Sequence, residues 1–181
     1  LLNEIPVSPG DAYFIPPRMV HAIGAGCLIL EVQEPTDFTV QPEPMCGEYR
    51  LTEFEKYIGL SQDEAMECFD FSESVGESAI NKSRVIPVSS RLNEFLTIDR
   101  LITEDHTPEF AVNRYTLMNG ATELPAGPAV FVVVQGSAVL SHGAWHRRVT
   151  TGDYFFQPAG ARAVRAAAED KLSLVQCVPR R

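Results

Sequence analysis

Apolar residues in this chain come as short runs punctuated by glycine and proline, and the punctuation separates three blocks. In residues 1–40 the runs are Tyr13–Ile15 after Pro9-Gly10-Asp11, Ala22-Ile23 beside Gly24 and Gly26, and Leu28–Val32. Runs this short, bounded by turn formers, predict strands and hairpins. The hairpin bend falls at Ile23–Cys27, where either glycine adopts a positive φ without a steric penalty. Alternation along the last run puts Leu28, Leu30 and Val32 on one face and Ile29, Glu31 and Gln33 on the other.

Residues 41–83 have a different pattern. Gln41-Pro42-Glu43-Pro44 is a proline-rich connector, and Thr52 is placed to cap a short helix that stops at Gly59. Ser61 and Glu64 have the spacing of a reciprocal cap for a second helix. The polar stretch Ser72–Ser83 predicts a linker without chemistry. Residues 84–181 return to strands, in Arg84–Ser90, Phe95–Thr103, Phe110–Met118, Ala129–His142, His146–Pro158 and Leu172–Pro179. Such spacing predicts a β-sandwich or barrel, with Gly136 as a tight turn between two strands. The fold class is mostly β.

The totals add bounds. With 181 residues, 45% of them apolar and 22% charged, the chain has the make-up of a soluble globular protein of one large or two small domains. Its apolar runs fall short of the roughly 18 residues that cross a bilayer. A net charge of −9 argues against nucleic acid or an anionic membrane as partner, leaving room for a local basic pocket that takes a small phosphorylated ligand. Four scattered cysteines, none in a C-x-x-C pair, read as reduced thiols and predict a cytoplasmic location. The chain starts without Met and enters a strand pattern at once, which predicts a piece of a longer protein.

One segment occurs twice. Gly10–His21 reads GDAYFIPPRMVH, and Gly152–Ala163 reads GDYFFQPAGARA. Glycine, aspartate, an aromatic pair and proline recur at equal offsets, but Ala163 stands where the first copy has His21. The pattern G-x5-P-x4-H is similar to the second motif of the cupin superfamily, G-x5-P-x-G-x-x-H. Arg18 replaces the glycine of that motif, whereas Gly160 keeps it. Over about thirty residues, PGDAYFIPPRMVHAIGAGCLILEVQEPTD resembles more specifically the class I mannose-6-phosphate isomerases.

That resemblance implies two cupin-like jelly-roll barrels: a catalytic one truncated at its N-terminus (1–40), a short helical linker (41–83), and a second cupin-like domain without a metal site (84–181). It implies a zinc-dependent aldose–ketose isomerase that interconverts mannose 6-phosphate and fructose 6-phosphate. The family's zinc is held by Gln, His and Glu of earlier strands and by the His of HAIG, so only His21 carries over as a metal ligand. Glu31 falls at an active-site carboxylate. Gln41 falls at a substrate-binding slot where the family commonly has arginine, and its neutral amide lacks the guanidinium's charge and fork. Arg18 or Arg50 is the candidate to replace that charge, while Lys56 is expected to be solvated.

In the rear block no histidine occurs between Thr107 and Ser141, and the first-motif slots hold residues such as Glu123, Pro125 and Ala129; alanine, valine and proline cannot coordinate a divalent ion. His142 and His146, beside Trp145, are expected at the surface. The expectation is therefore the C-terminal portion of a sugar-phosphate isomerase, inactive alone, with a sugar phosphate as small-molecule partner. An open β surface in the truncated barrel predicts a homodimer or strand exchange. The competing reading is a non-catalytic carbohydrate-binding or regulatory bicupin, favoured by Gln41 and the vacant second barrel. A metal-dependent cupin oxygenase fits the HAIG segment less well.

Overall fold

The computed structural model describes residues 2–34, 38–71 and 77–180. The chain forms two compact units, Leu1–Arg84 and Val85–Arg181.

The first unit corrects the expectation for residues 1–40. Apart from an isolated bridge between Tyr13 and Arg84, its described residues before β1 carry no strand. Leu28 is 101% exposed, and Ile29 and Leu30 are about half exposed. A strand is stabilised only by a ladder partner, and alternation in Leu28–Gln33 supplies a face without a neighbour to hydrogen-bond. Asp37 of the isomerase-like segment lies outside the described residues, as do Ser72–Gly76 of the polar stretch.

Local capping chemistry is obeyed. After a two-stranded hairpin of β1 (Met45–Cys46) and β2 (Tyr49–Arg50) come α1 (Glu53–Tyr57) and α2 (Gln62–Met66). Thr52 Oγ1 accepts from the Glu55 amide at 3.3 Å, and Glu55 Oε2 accepts from the Thr52 amide at 2.8 Å. Ser61 and Glu64 repeat this reciprocal bonding at the start of α2. The first helix stops on Ile58 and Gly59, with φ of 49° and 89°.

Two features depart from expectation. Residues 77–83, read as linker, form α3 (Glu77–Ser83). Serine and asparagine are poor helix formers, but the last turn is held by one bond within the helix and one from outside it. Ser83 Oγ donates to the Ala79 carbonyl at 2.9 Å, and the Ser83 carbonyl accepts from the Phe14 amide at 2.8 Å. Lys56, expected to be solvated, is buried instead. Its ammonium stays satisfied by Glu53 Oε1 at 2.9 Å and by the Tyr57 ring, 4.5 Å to the centroid, so the stem packs while the charge is paired.

The second unit is one curled sheet of eight strands: β3 (Val88–Arg91), β4 (Leu96–Ile102), β5 (Phe110–Glu123), β6 (Ala129–Gln135), β7 (Ser137–His142), β8 (Trp145–Thr150), β9 (Tyr154–Gln157) and β10 (Arg165–Pro179). Its core gathers Leu117, Phe131, Val133, Leu140, Leu172 and Leu174, and Phe131 stacks on Phe155 with centroids 5.0 Å apart. Each such buried side chain contributes about 1.5–3 kcal/mol.

Gly136 is not the tight turn expected of it. β6 and β7 do not pair with each other; both run antiparallel to β10, which bonds β6 through Ser173–Cys177 and β7 through Arg165–Ala167. Gly136, with φ of 85°, is the corner of one bent strand, and a β-carbon there would meet the Lys171 carbonyl oxygen at 1.9 Å. No side chain fits that approach. On the adjoining strands β4 and β5, the buried carboxylate of Asp99 accepts from Arg114 Nη2 at 2.8 Å and from Ser89 Oγ at 2.5 Å. Burial alone would raise the Asp99 pKa, but the Ser89 hydroxyl and the Arg114 guanidinium outweigh it and hold the carboxyl below its ordinary range.

Gly136→Ala should lower unfolding stability by about 3 kcal/mol or more, read from urea midpoints. Gly143→Ala, at φ 57° with nothing within 4 Å, should cost only about 1 kcal/mol. The depressed Asp99 contributes stability that is present above the unfolded-state pKa of an aspartate and lost as pH falls through the folded value. Asp99→Asn should therefore reduce stability at neutral pH by about 1–3 kcal/mol and flatten its decline in acid, measured by thermal unfolding across pH.

Candidate functional site

The duplicated segment builds the same pair of turns in each unit. In the first, the Asp11 amide donates to the Ser8 carbonyl at 3.0 Å while Asp11 Oδ2 accepts from the Ser8 amide at 3.0 Å. In the second, Asp153 and Thr150 make the corresponding bonds at 2.9 and 2.7 Å. The glycines between them match, with Gly10 at φ 96° and Gly152 at φ 93°. Both turns need a left-handed residue before an aspartate that closes the loop on itself. Five residues beyond Asp11 and Asp153, the Met19 amide bonds Pro16 at 3.3 Å and the Ala161 amide bonds Pro158 at 2.9 Å.

Arg18 occupies the motif's glycine position with φ 71°. Left-handed backbone in a side-chain-bearing residue costs about 1–2 kcal/mol, and the guanidinium supplies an offset. Nη2 donates to the Glu67 carbonyl at 3.0 Å and to Phe69 at 3.5 Å, Nε donates to Cys68 at 3.3 Å, and the Asp70 amide returns a bond to the Arg18 carbonyl at 3.0 Å. Arg18 is thus a clamp across the end of α2, where carbonyls lack helical partners. With these bonds made it is a poor candidate to replace a substrate-binding arginine. Arg50 is exposed on β2.

His21 is exposed, and its Nδ1 lies 2.9 Å from the Met19 carbonyl oxygen. A carbonyl only accepts, so Nδ1 is the donor in this contact, and in the neutral ring Nε2 then carries the lone pair. That tautomer is the one a metal-ligating imidazole adopts when its other nitrogen is held by a carbonyl. Glu31 is exposed, and Gln41 is half-buried with its backbone N–H donating to the Lys56 carbonyl at 2.8 Å. No hydrogen bond or ion pair joins His21, Glu31 and Gln41, and none of the three lines the groove of about 580 Å³ formed by Arg18, Asp63, Met66, Glu67, Phe69 and Phe71. Among the described residues no three His, Cys, Asp or Glu side chains gather as a metal-holding group. The described residues therefore do not by themselves fit a zinc site, and His21 stands as a single donor. All four cysteines are free thiols, and burial pushes that of Cys177 upward. No described helix is long and apolar enough to cross a membrane.

In the second unit His142, His146 and Trp145 are exposed, at the tip of the β7–β8 hairpin. His142 Nδ1 lies 3.3 Å from the carbonyl oxygen of Ala163, the residue matched to His21 by the repeat. His142 is at the surface as its sequence position predicts, but the sequence did not indicate its contact with Ala163. The signal that could have found this contact is the repeat itself, which marks Ala163 as a site position.

Arg18→Ala keeps the left-handed backbone but removes three bonds to the chain after α2. Limited proteolysis should cut residues 67–71 several-fold faster in that variant, with cleavage sites assigned by mass spectrometry.

No family model matches the chain. Mannose-6-phosphate isomerase ManA of Bacillus subtilis is 24% identical over 161 residues, covering 88% of this chain and 47% of the relative. Mannose-6-phosphate isomerase of Streptococcus mutans is 25% identical over 161 residues, covering 87% and 46%. The crystal structure of mannose 6-phosphate isomerase from B. subtilis superposes with a TM-score of 0.51 at 17% identity, over 71% of this chain and 37% of that one, a likeness of fold. The chain thus spans about half the length of the curated relatives it matches. The resemblance first read around HAIG reaches across nearly all of the chain, which is β-rich and similar in sequence to mannose-6-phosphate isomerases.

Proposed function

We propose that this chain is part of a sugar-phosphate aldose–ketose isomerase that interconverts mannose 6-phosphate and fructose 6-phosphate. The observation that carries the reading is the placement of His21, two residues past the turn pair duplicated across the two units, with Nδ1 held 2.9 Å from the Met19 carbonyl so that Nε2 is the nitrogen left for a ligand. The isomerase homologues support the substrate class. In this reading 1–40 belongs to a catalytic cupin barrel, 41–83 links, and 84–181 is a second barrel-like domain. The exposed alternation of Leu28–Gln33 suits a strand whose ladder partners lie in chain beyond this sequence. The protein is cytoplasmic and, as this piece alone, inactive and prone to pair through that open edge.

Aldose–ketose conversion moves one proton between C2 and C1 and a second between O2 and O1, with no net oxidation or reduction of the sugar. Glu31 is the carboxylate that removes the proton from one carbon and returns it to the other. Gln41 donates its amide hydrogens to substrate oxygen without adding charge, so the phosphate needs a cation from elsewhere. One zinc ion per full-length chain is implied, with His21 Nε2 as one ligand and the remaining donors outside these residues. The neutral Gln41 favours a second reading, a non-catalytic carbohydrate-binding bicupin.

The test uses the full-length protein that carries this sequence. Elemental analysis should find about one zinc per chain, lost in His21→Ala. A coupled assay with mannose 6-phosphate should show turnover that falls about 10²–10⁴-fold in Glu31→Gln while zinc is retained. Absence of turnover in the zinc-loaded protein would establish the binding-module reading instead.

A further inference from the structure

The second unit carries a groove of about 430 Å³ lined by His142, Trp145, Gly160, Ala161, Arg162 and Val164. It lies between the β7–β8 hairpin tip and the loop that follows β9, the loop holding the repeat's second turn and Ala163. We infer that this groove binds a phosphorylated sugar without turning it over.

Three properties argue for that ligand. Trp145, the chain's single tryptophan, is 50% exposed in the groove. An indole face left in water is stabilised by stacking on an apolar surface, and the C–H face of a pyranose offers one with polar edges. Arg162 is exposed, and among the described residues it has no hydrogen-bond or ion-pair partner. Arg147, likewise exposed and without a hydrogen-bond or ion-pair partner among the described residues, stands two residues from Trp145 on β8 and so shares its face. The unpaired guanidinium of Arg162 in the groove wall, in a chain of net charge −9, forms a local site for a phosphomonoester, which a guanidinium takes through two parallel bonds, with Arg147 adding positive charge nearby on β8.

The third property is the held imidazole. The Ala163 carbonyl, 3.3 Å from His142 Nδ1, accepts from that nitrogen, and in the neutral ring Nε2 is then an acceptor for a sugar hydroxyl. In the front copy a histidine occupies the repeat position itself; in the rear copy a histidine from the neighbouring hairpin bonds the backbone at that position. The wall includes no aspartate or glutamate. An anion therefore meets no like charge in the lining, and a bound sugar meets no carboxylate base. The volume suits a ligand of hexose-phosphate size. The choice of sugar phosphate deepens the isomerase reading, whereas the groove stands on its own geometry.

Because Trp145 is the single tryptophan, its fluorescence reports this groove alone. Titrating the 181-residue chain with mannose 6-phosphate should give a saturable change in intensity or wavelength. Mannose and inorganic phosphate should each bind at least about tenfold more weakly, and Arg162→Gln should weaken mannose 6-phosphate by about tenfold or more at unchanged melting temperature. Arg147→Gln, on the strand rather than the loop, should weaken it by a smaller factor, and His21→Ala should leave it unchanged. No saturable change up to tens of millimolar overturns the inference, as does equal binding of phosphate or mannose, or an unaltered Arg162→Gln titration. A full-length protein that failed to turn over substrate would refute the isomerase reading and leave this titration as it stands.

Discussion

Strand β10 is bonded along both edges, to β5 over most of its length on one side and to β6 and then β7 on the other. Every amide and carbonyl of a strand needs a partner, and a strand shared by three neighbours forces them into one curled sheet. The curl requires β6–β7 to bend as it follows β10. Gly136 makes that bend because a carbonyl of β10 lies where any β-carbon would stand. The core of Phe131, Val133, Leu140, Leu172 and Leu174 collects on the face this ladder encloses.

The same backbone device serves different chemistry in the two units. Gly10-Asp11 and Gly152-Asp153 close equivalent loops, and the following proline turns reproduce each other. In the front copy the next landmark is His21, with its proton directed to a carbonyl and its other nitrogen free. In the rear copy the landmark is a backbone carbonyl that holds a histidine from elsewhere. Arg18 shows the trade at a turn: it accepts left-handed backbone and offsets that strain through bonds to three carbonyls beyond α2.

What could be read from sequence was chemistry that closes within a few residues. The caps at Thr52 and Ser61 formed with their glutamates, because donor and acceptor sit three positions apart whatever the rest of the chain does. The rear strands Leu96–Ile102, Phe110–Glu123 and Arg165–Pro179 formed because several alternating segments were present to pair with one another. Leu28–Val32 has the same alternation and remains exposed, since its periodicity specifies a face but not a partner. Glu77–Ser83 shows the converse, a weak helix sequence held by Ser83 and Phe14. Of the candidate site, His21 was legible through its motif. The spent guanidinium of Arg18, the buried pairing of Lys56 and the groove around Trp145 were not, because each depends on residues distant along the chain or on a packing surface.

The sequence by itself determined the duplicated turns, the two capped helices, the predominantly β rear block and the identity of the residue that distinguishes the copies. Each of these follows from glycine's left-handed freedom, from short-range hydrogen bonding or from a period of two. Tertiary structure alone decided which alternating runs became strands, whether Gly136 reversed the chain or bent it, and which imidazole met which carbonyl. The physical reason is that a ladder, a close backbone approach and a shared groove are properties of two segments at once, and neither segment encodes the position of the other.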